Sequence, residues 1–523
     1  MLRPVTGAFA SERPRMAQEY SPLEQKQPLF IPFSGQVFRR GTCLHLSRSL
    51  QGHPNLGELW FWAQKQGLSC VWHEPLEFTE KYSRTSTQTR MSDNELQRYV
   101  VDLFEQAYRR RAQDIHVINS GLSTRIQMRI LGDLVNVDLK DALFGEQLMS
   151  VLYNYFAQQT GSAVFSRLQR LDGRIVNPRV LPQGVFAVRL HAEPIQSASP
   201  EAGILMTLRL LYDTSRAEGS LTERLQALGF FPEQSERIAQ LTLSGGLTVI
   251  SGATGHGKST VLKHIFEAMV EAEPHKSFLS VEDPPEYTLA GVKQIQVTSS
   301  EVTEQSVRDQ LYRDALAGAL RSDPDVLMIG EIRTPEACEA AVTGALTGQA
   351  VWATLHARDA VSSVSRLAGL LEQSTQTARD LLTDPCILSA ILHQRLLPVL
   401  CPDCKRPFAE KGSHQGAQGL CHRLNKALQG RLASVCVRGP GCATCAGRGV
   451  FAMTVAAEVL ILTQEMRRFF RLQRPEEVRR LFRTEGSLSV REVALRKISQ
   501  GEVDPLDAEK RLQMPLWEEN ELS

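Results

Sequence analysis

Residues 252–259 read GATGHGKS, a glycine-rich run that closes on Gly257-Lys258-Ser259. The apolar run Leu247–Ile250 precedes it and reads as a buried strand, and a helical pattern begins near Lys258. Strand, glycine loop and helix in that order constrain the local fold and its chemistry together. The glycines let backbone N–H groups turn inward around anionic oxygens. The helix N-terminus adds its partial positive charge. Lys258 would reach the β- and γ-phosphates of a nucleotide, and Ser259 would ligate Mg²⁺. The expected nucleotide contacts are Gly252, Ala253, Thr254, Gly255, His256, Gly257, Lys258, Ser259 and Thr260.

A chain of 523 residues has room for three or four domains. With 59 basic and 58 acidic residues the formal net charge is +1. That balance excludes a nucleic-acid protein held by a bulk basic field, and Arg109–Arg111 reads as a solvated helix face. No apolar run reaches the roughly 18 residues a membrane helix needs, and Met1–Ala17 lacks the apolar core of a secretory leader. The expectation is a cytoplasmic protein, whose ten cysteines are thiols or metal ligands and not disulfides.

Pattern changes divide the chain. Residues 1–28 read as a disordered tail. Residues 29–90 form a small α/β unit with apolar runs at Leu29–Phe33, Leu59–Trp62 and Cys70–Trp72, and Lys81–Arg90 is a linker. Residues 91–212 read as an α+β domain. Its first helix is capped by Ser92 or Asp93 and a second covers Gln147–Gln158. Its strands fall at Ile115–Ile118, Arg125–Ile130, Val185–Leu190 and Leu205–Leu211. A hinge at 213–221 leads to 222–400, where helices alternate with strands at Leu247–Ile250, Ser277–Val281, Val326–Ile329 and Ala350–Thr354, the pattern of a mostly parallel α/β sheet. A cysteine-bearing segment, 401–458, and a helical region, 459–523, follow.

A phosphate cradle alone specifies only a nucleotide; acidic groups decide its fate. Asp325-Val-Leu-Met-Ile-Gly-Glu331 is an apolar strand with a carboxylate just past its C-terminal end, where ligands of parallel sheets bind. Gly330 stands where an aspartate is common, so contact of Glu331 with Mg²⁺ through water is expected. Glu282-Asp283-Pro284-Pro285-Glu286 follows another strand. The prolines fix where Glu286 points, and a fixed carboxylate near the γ-phosphate can polarise an attacking water. His356 follows a third strand, at the position a γ-phosphate sensor would occupy. Cys401-x-x-Cys404 and Cys442-x-x-Cys445 offer four thiolates at a spacing that suits a closed tetrahedral Zn²⁺ site. Cys421 and Cys436 lie between the pairs, and Cys43, Cys70, Cys338 and Cys386 read as core residues.

In this order SGATGHGKST, VEDPPE, RSDPDVLMIGEIR and TGALTGQAVWATLHARDA resemble the phosphate loop, Asp box, Walker B and His box of the secretion ATPases of type II secretion and type IV pilus systems. RAQDIHV, RLDGRI, FAVRLHAEP, LHQRLLPVLCPDCK and TEGSLSVREVALRKISQGEV extend the similarity over roughly residues 95–505. The resemblance implies a RecA-like motor domain preceded by a PAS-like α+β domain, with a zinc-binding insertion and a helical C-terminus. It implies ATP hydrolysis with Mg²⁺, with Glu286 as general base, Glu331 at the Walker B position and His356 in the His box. Arg189 and Arg209 match arginines that approach the phosphates across a domain or subunit boundary, and Arg321 and Arg333 match further basic positions. The implied assembly is a homohexamer driving a polytopic inner-membrane platform protein, peripheral at the membrane through that partner, without direct nucleic-acid binding. A DNA-transfer motor of conjugation is the alternative. Gln349, Ala317, Thr334 and His256 depart from the family's usual histidine, arginine, aspartate and serine, which points to a divergent branch such as that of plasmid-encoded conjugative pili.

Overall fold

The computed structural model describes residues 37–40, 42–47, 56–73, 92–160, 164–197, 203–212, 218–297, 305–372, 378–408, 424–428, 430 and 432–516. The tail 1–28, the linker Lys81–Arg90, the start of the expected hinge and Cys421 lie outside these residues. The chain forms two compact units, one reaching to Leu210, the other running from Leu211 and taking in Gln183–Ala187.

The first unit holds two sheets. Strands β1 (Val37–Arg40), β2 (Cys43–Ser47) and β3 (Ser69–His73) form a small sheet. The helix Leu56–Lys65 packs Leu59 and Ala63 against Leu44 and Leu46. The second sheet has the order β6-β5-β4-β10-β9-β8-β7, built from β4 (Ala112–Asn119), β5 (Ser123–Ile130), β6 (Asp133–Asp141), β7 (Gln158–Thr160), β8 (Leu171–Ile175), β9 (Val185–Ile195) and β10 (Gly203–Tyr212). Ser92, and not Asp93, caps the helix Asp93–Arg109, and Glu95 completes a capping box by reaching back to the Ser92 N–H. The next helix starts five residues before the position expected from periodicity, at Ala142, because the Asp141 carboxylate accepts the Phe144 N–H and sets the first turn there. It winds into a π-turn over Val151–Phe156, and Gln158 is already in β7.

The second unit is built on one seven-stranded sheet, β13-β12-β14-β15-β11-β16-β19. Its strands are β11 (Gly246–Ser251), β12 (Phe278–Glu282), β13 (Val292–Gln296), β14 (Val326–Ile329), β15 (Ala350–Leu355), β16 (Leu388–Leu400) and β19 (Val450–Ile461). The first six are parallel, and β19 returns antiparallel along β16. Every residue of β11 and β14 is buried, as strands covered on both faces must be. Alternate residues serve the two faces. Val249, Leu279, Leu327, Ile329 and Val351 meet the helices Gln305–Leu320, Pro335–Leu346 and Ala360–Leu371. Ile250, Phe278, Met328 and Trp352 meet the helices Leu221–Ala227, Pro232–Leu241 and Lys258–Ala272. The expected α/β class is the one found. Two short strands, β17 (Arg406–Pro407) and β18 (Cys436–Val437), pair beside the cysteine pairs, and four helices between Gln464 and Leu512 close the described chain.

Candidate functional site

The loop Gly252–Gly257 leaves the C-terminal end of β11 and enters the helix Lys258–Ala272. Gly252, Gly255 and Gly257 all have positive φ. At Gly252 a Cβ would also lie 2.5 Å from the Gln394 carbonyl oxygen, so only glycine fits. Gly257 caps the helix without a side-chain hydrogen bond, which leaves the first-turn N–H groups to an anion. The Lys258 ammonium lies within this arch, donating to the carbonyls of Gly252 at 3.0 Å and Ala253 at 3.2 Å. Burial pulls its pKa down, and the charges of Glu331 and Glu286 oppose that pull. The residues present thus fit a nucleotide's phosphates.

Glu331, just past β14, is held on both carboxylate oxygens. His356 Nε2 lies 2.9 Å from Oε1, and Arg333 donates to Oε2 at 2.6 Å. The other nitrogen of His356 donates to the Gly252 carbonyl at 3.0 Å. One imidazole therefore joins the phosphate loop to the acidic strand end. The hydrogen bond to Glu331 also holds the Arg333 guanidinium above its ordinary pKa, and the Tyr312 hydroxyl donates to the Glu331 carbonyl at 3.1 Å.

Glu286 is exposed on the acidic loop after β12. Its neighbour Tyr287 meets Thr260 of the phosphate-loop helix, oxygen to oxygen, at 3.0 Å. Gln294 ties the loop to β13 by donating to the Tyr287 carbonyl and to Glu282. Glu282 also accepts from Ser280, and burial raises its pKa. The structure thus brings Lys258, Glu286, Glu331, Arg333 and His356 to the sheet's C-terminal edge. Arg321 lies exposed beyond the helix Gln305–Leu320. Arg189 and Arg209 belong to the first unit, where Arg209 pairs with Asp114 at 2.8 Å.

The departures have structural readings. Thr334 caps the helix Pro335–Leu346 by accepting the Ala337 N–H, a role an aspartate would share. His256 accepts the Leu396 N–H at 2.9 Å, and Gln394 donates to the His256 carbonyl at 2.7 Å, so the loop is fastened to β16. Burial and nearby cations push the His256 pKa down to about 4, which keeps the ring a neutral acceptor. Gln349 follows the turn at Thr347–Gly348 and directly precedes β15, and its side-chain oxygen is buried without a partner.

The metal-ligand candidates converge. The sulfurs of Cys401, Cys404, Cys442 and Cys445 all lie within 4.8 Å of one another. Three of the separations are 3.6, 3.8 and 3.8 Å. Thiolates about 2.3 Å from a zinc ion at tetrahedral angles stand about 3.8 Å apart, so the quartet fits that ion. The backbone N–H groups of Cys442 and Gly449 point at the Cys445 sulfur. Of the four cysteines expected in the core only Cys338 is buried. Cys43 and Cys70 are half-buried and Cys386 is exposed, because small-sheet and turn positions leave them at the surface.

Fold and site define a P-loop nucleotide-binding protein with carboxylates at the C-terminal edge of the sheet and a tetracysteine cluster. Residues 89–519 match the model of the family described as type II/IV secretion system protein, and the chain belongs to that family. It is 30% identical to the type II secretion system protein HxcR of Pseudomonas aeruginosa, over 77% of this chain and 74% of that one. It is 27% identical to the type IV pilus assembly ATPase PilB of Thermus thermophilus, over 81% of this chain and 44% of that one. The Legionella pneumophila ATPase DotB shares the fold, with a TM-score of 0.55 at 20% identity over 82% of this chain and 97% of that one. The chain is a P-loop ATPase of this family. No helix among the described residues is long and apolar enough to cross a membrane.

Proposed function

We propose that this ATPase powers assembly of a type IV pilus or a type II secretion pseudopilus, as a homohexamer acting on a polytopic inner-membrane platform protein. The observation that carries the reading is the linkage of loop, acid and histidine: His356 spans Gly252 and Glu331, so the strand end that faces the γ-phosphate is coupled to the loop that holds it. Glu286 is the base that takes a proton from the attacking water. Lys258 and Arg333 supply positive charge where negative charge develops on the transferred γ-phosphoryl group and the leaving ADP. Ser259, with Glu331 through water, would hold Mg²⁺, which would supply charge neutralisation to the phosphates. The four cysteines would hold Zn²⁺ as a structural staple.

The test compares two variants of the full chain. Glu286→Gln should bind an ATP analogue normally and hydrolyse ATP at least about tenfold more slowly, since general-base contributions reach roughly 10²–10⁴. Lys258→Ala should lose analogue binding as well. In the parent cell both should abolish filaments or filament-dependent secretion. Normal turnover by Glu286→Gln moves the base to Glu331, and hydrolysis stimulated by DNA with filaments intact replaces this reading with DNA transfer.

A further inference from the structure

A cavity lined by arginines lies beside β16 and β19, against the helices Ala360–Leu371, Pro475–Thr484 and Val490–Ser499. It measures about 160 Å³, room for several waters or one phosphate-sized anion. Arg358, Arg395, Arg479, Arg483 and Arg491 line it. Its two carboxylates are already engaged. Asp359 pairs with Arg479 at 3.1 Å. Glu458 accepts the N–H of Ala360 at 2.9 Å and of Val490 at 3.1 Å, the first residues of two helices.

The most buried polar lining group is His393, 1% exposed. Its Nδ1 lies 3.0 Å from the Ser251 hydroxyl, which accepts in turn from Ser363. The ring's Nε2 is buried without a partner. The Nε of Arg395, a side chain only 8% exposed, is likewise buried and unmatched. Burial, with the positive charges of Arg395 and Lys258, pushes His393 down to about 3, so the ring is neutral at physiological pH. A guanidinium N–H without an acceptor is costly in an enclosed site, and an anion relieves it.

We propose that this cavity binds a phosphate-sized dianion, held by Arg395 within and by the exposed Arg358 at the rim. The site is distinct from the phosphate loop but one ring away from it, since Ser251 directly precedes Gly252. Occupancy would therefore be felt at the loop's first residue.

The test uses the full chain saturated with Mg²⁺ and a non-hydrolysable ATP analogue, so that the phosphate loop is filled. Inorganic phosphate is titrated calorimetrically at fixed ionic strength. One further equivalent should bind, and Arg395→Gln and Arg358→Gln should each weaken it at least about tenfold, the loss expected for one charge-assisted hydrogen bond. Thermal melts establish that Arg395→Gln folds; the surface variant Arg358→Gln serves if it does not. Glycerol 3-phosphate is titrated in parallel. Binding of phosphate alone identifies the free ion, and binding of either or both with the expected losses supports the site. Absence of binding by both, or wild-type affinity in either folded variant, overturns it.

Discussion

His256 shows how one side chain can replace a family-typical residue and keep the loop's geometry. A serine there could not reach the Leu396 N–H that the imidazole accepts. This contact ties loop stability to pH. With the pKa at about 4 in the fold and about 6.5 in the unfolded chain, the unfolded state takes up the proton first as pH falls from 6.5 to 4. Stability should therefore decline across that window and no further below it. His393, pushed to about 3, adds a decline of the same sign. His256→Asn keeps an acceptor without the titration and should flatten the decline, read as the urea midpoint at pH 6.5 and pH 4.5; an unchanged slope would assign it to other groups. Lys258, Glu286, Glu331 and His356 were legible because their motifs are local. Gln294, Tyr287, Tyr312 and Gln394 were not, because each acts through a partner distant in sequence and no spacing rule marks a glutamine that bonds a carbonyl.

Among the elements, the cysteine segment depends on close backbone approach as much as on its thiols. A Cβ on Gly439 would lie 1.6 Å from the Cys404 carbonyl oxygen, so the strand carrying Val437 and the first cysteine pair cannot both keep their places if a side chain is added. The protein should carry about one Zn²⁺ per chain, and Cys404→Ser and Gly439→Ala should each lower it, measured by elemental analysis of chelator-free preparations. ATP-analogue binding should persist in both, because the loop rests on β11 and the helix Lys258–Ala272, whose core does not include the cysteines. Zinc-free wild-type protein would overturn the assignment. The two C-x-x-C pairs were visible in the sequence, and so were β11, β12, β14 and β15 as apolar runs between turn signals. β16 and β19 were not read as strands. They form a long antiparallel pair at the sheet edge, and β16 carries His393, Gln394 and Arg395 in its middle, polar residues that interrupt an apolar run. Those residues are there for the loop and the cavity beside β16, so function obscured the strand signal.

At the scale of the whole molecule, the site in the second unit has cations of its own in Lys258 and Arg333, while Arg189 and Arg209 stand on strands of the first unit. Asp114, which is buried, holds Arg209 on its strand at 2.8 Å and also lies 3.6 Å from Arg129. A guanidinium anchored this way loses little freedom when it meets a phosphate, which is the condition for an arginine that acts across a boundary. Arg209→Ala should thus lower turnover while leaving ATP-analogue affinity close to wild type. If the arginine comes from a neighbouring copy in a ring, the contact is head-to-tail, and each interface needs Lys258 from one chain and Arg209 from the next. Two defective variants then complement each other. Mixing Arg209→Ala with Lys258→Ala under conditions that exchange subunits should restore hydrolysis above the sum of the two alone, because some interfaces pair an intact loop with an intact arginine. An arginine acting within its own chain gives no recovery at any mixing ratio, since every chain then lacks one of the two groups.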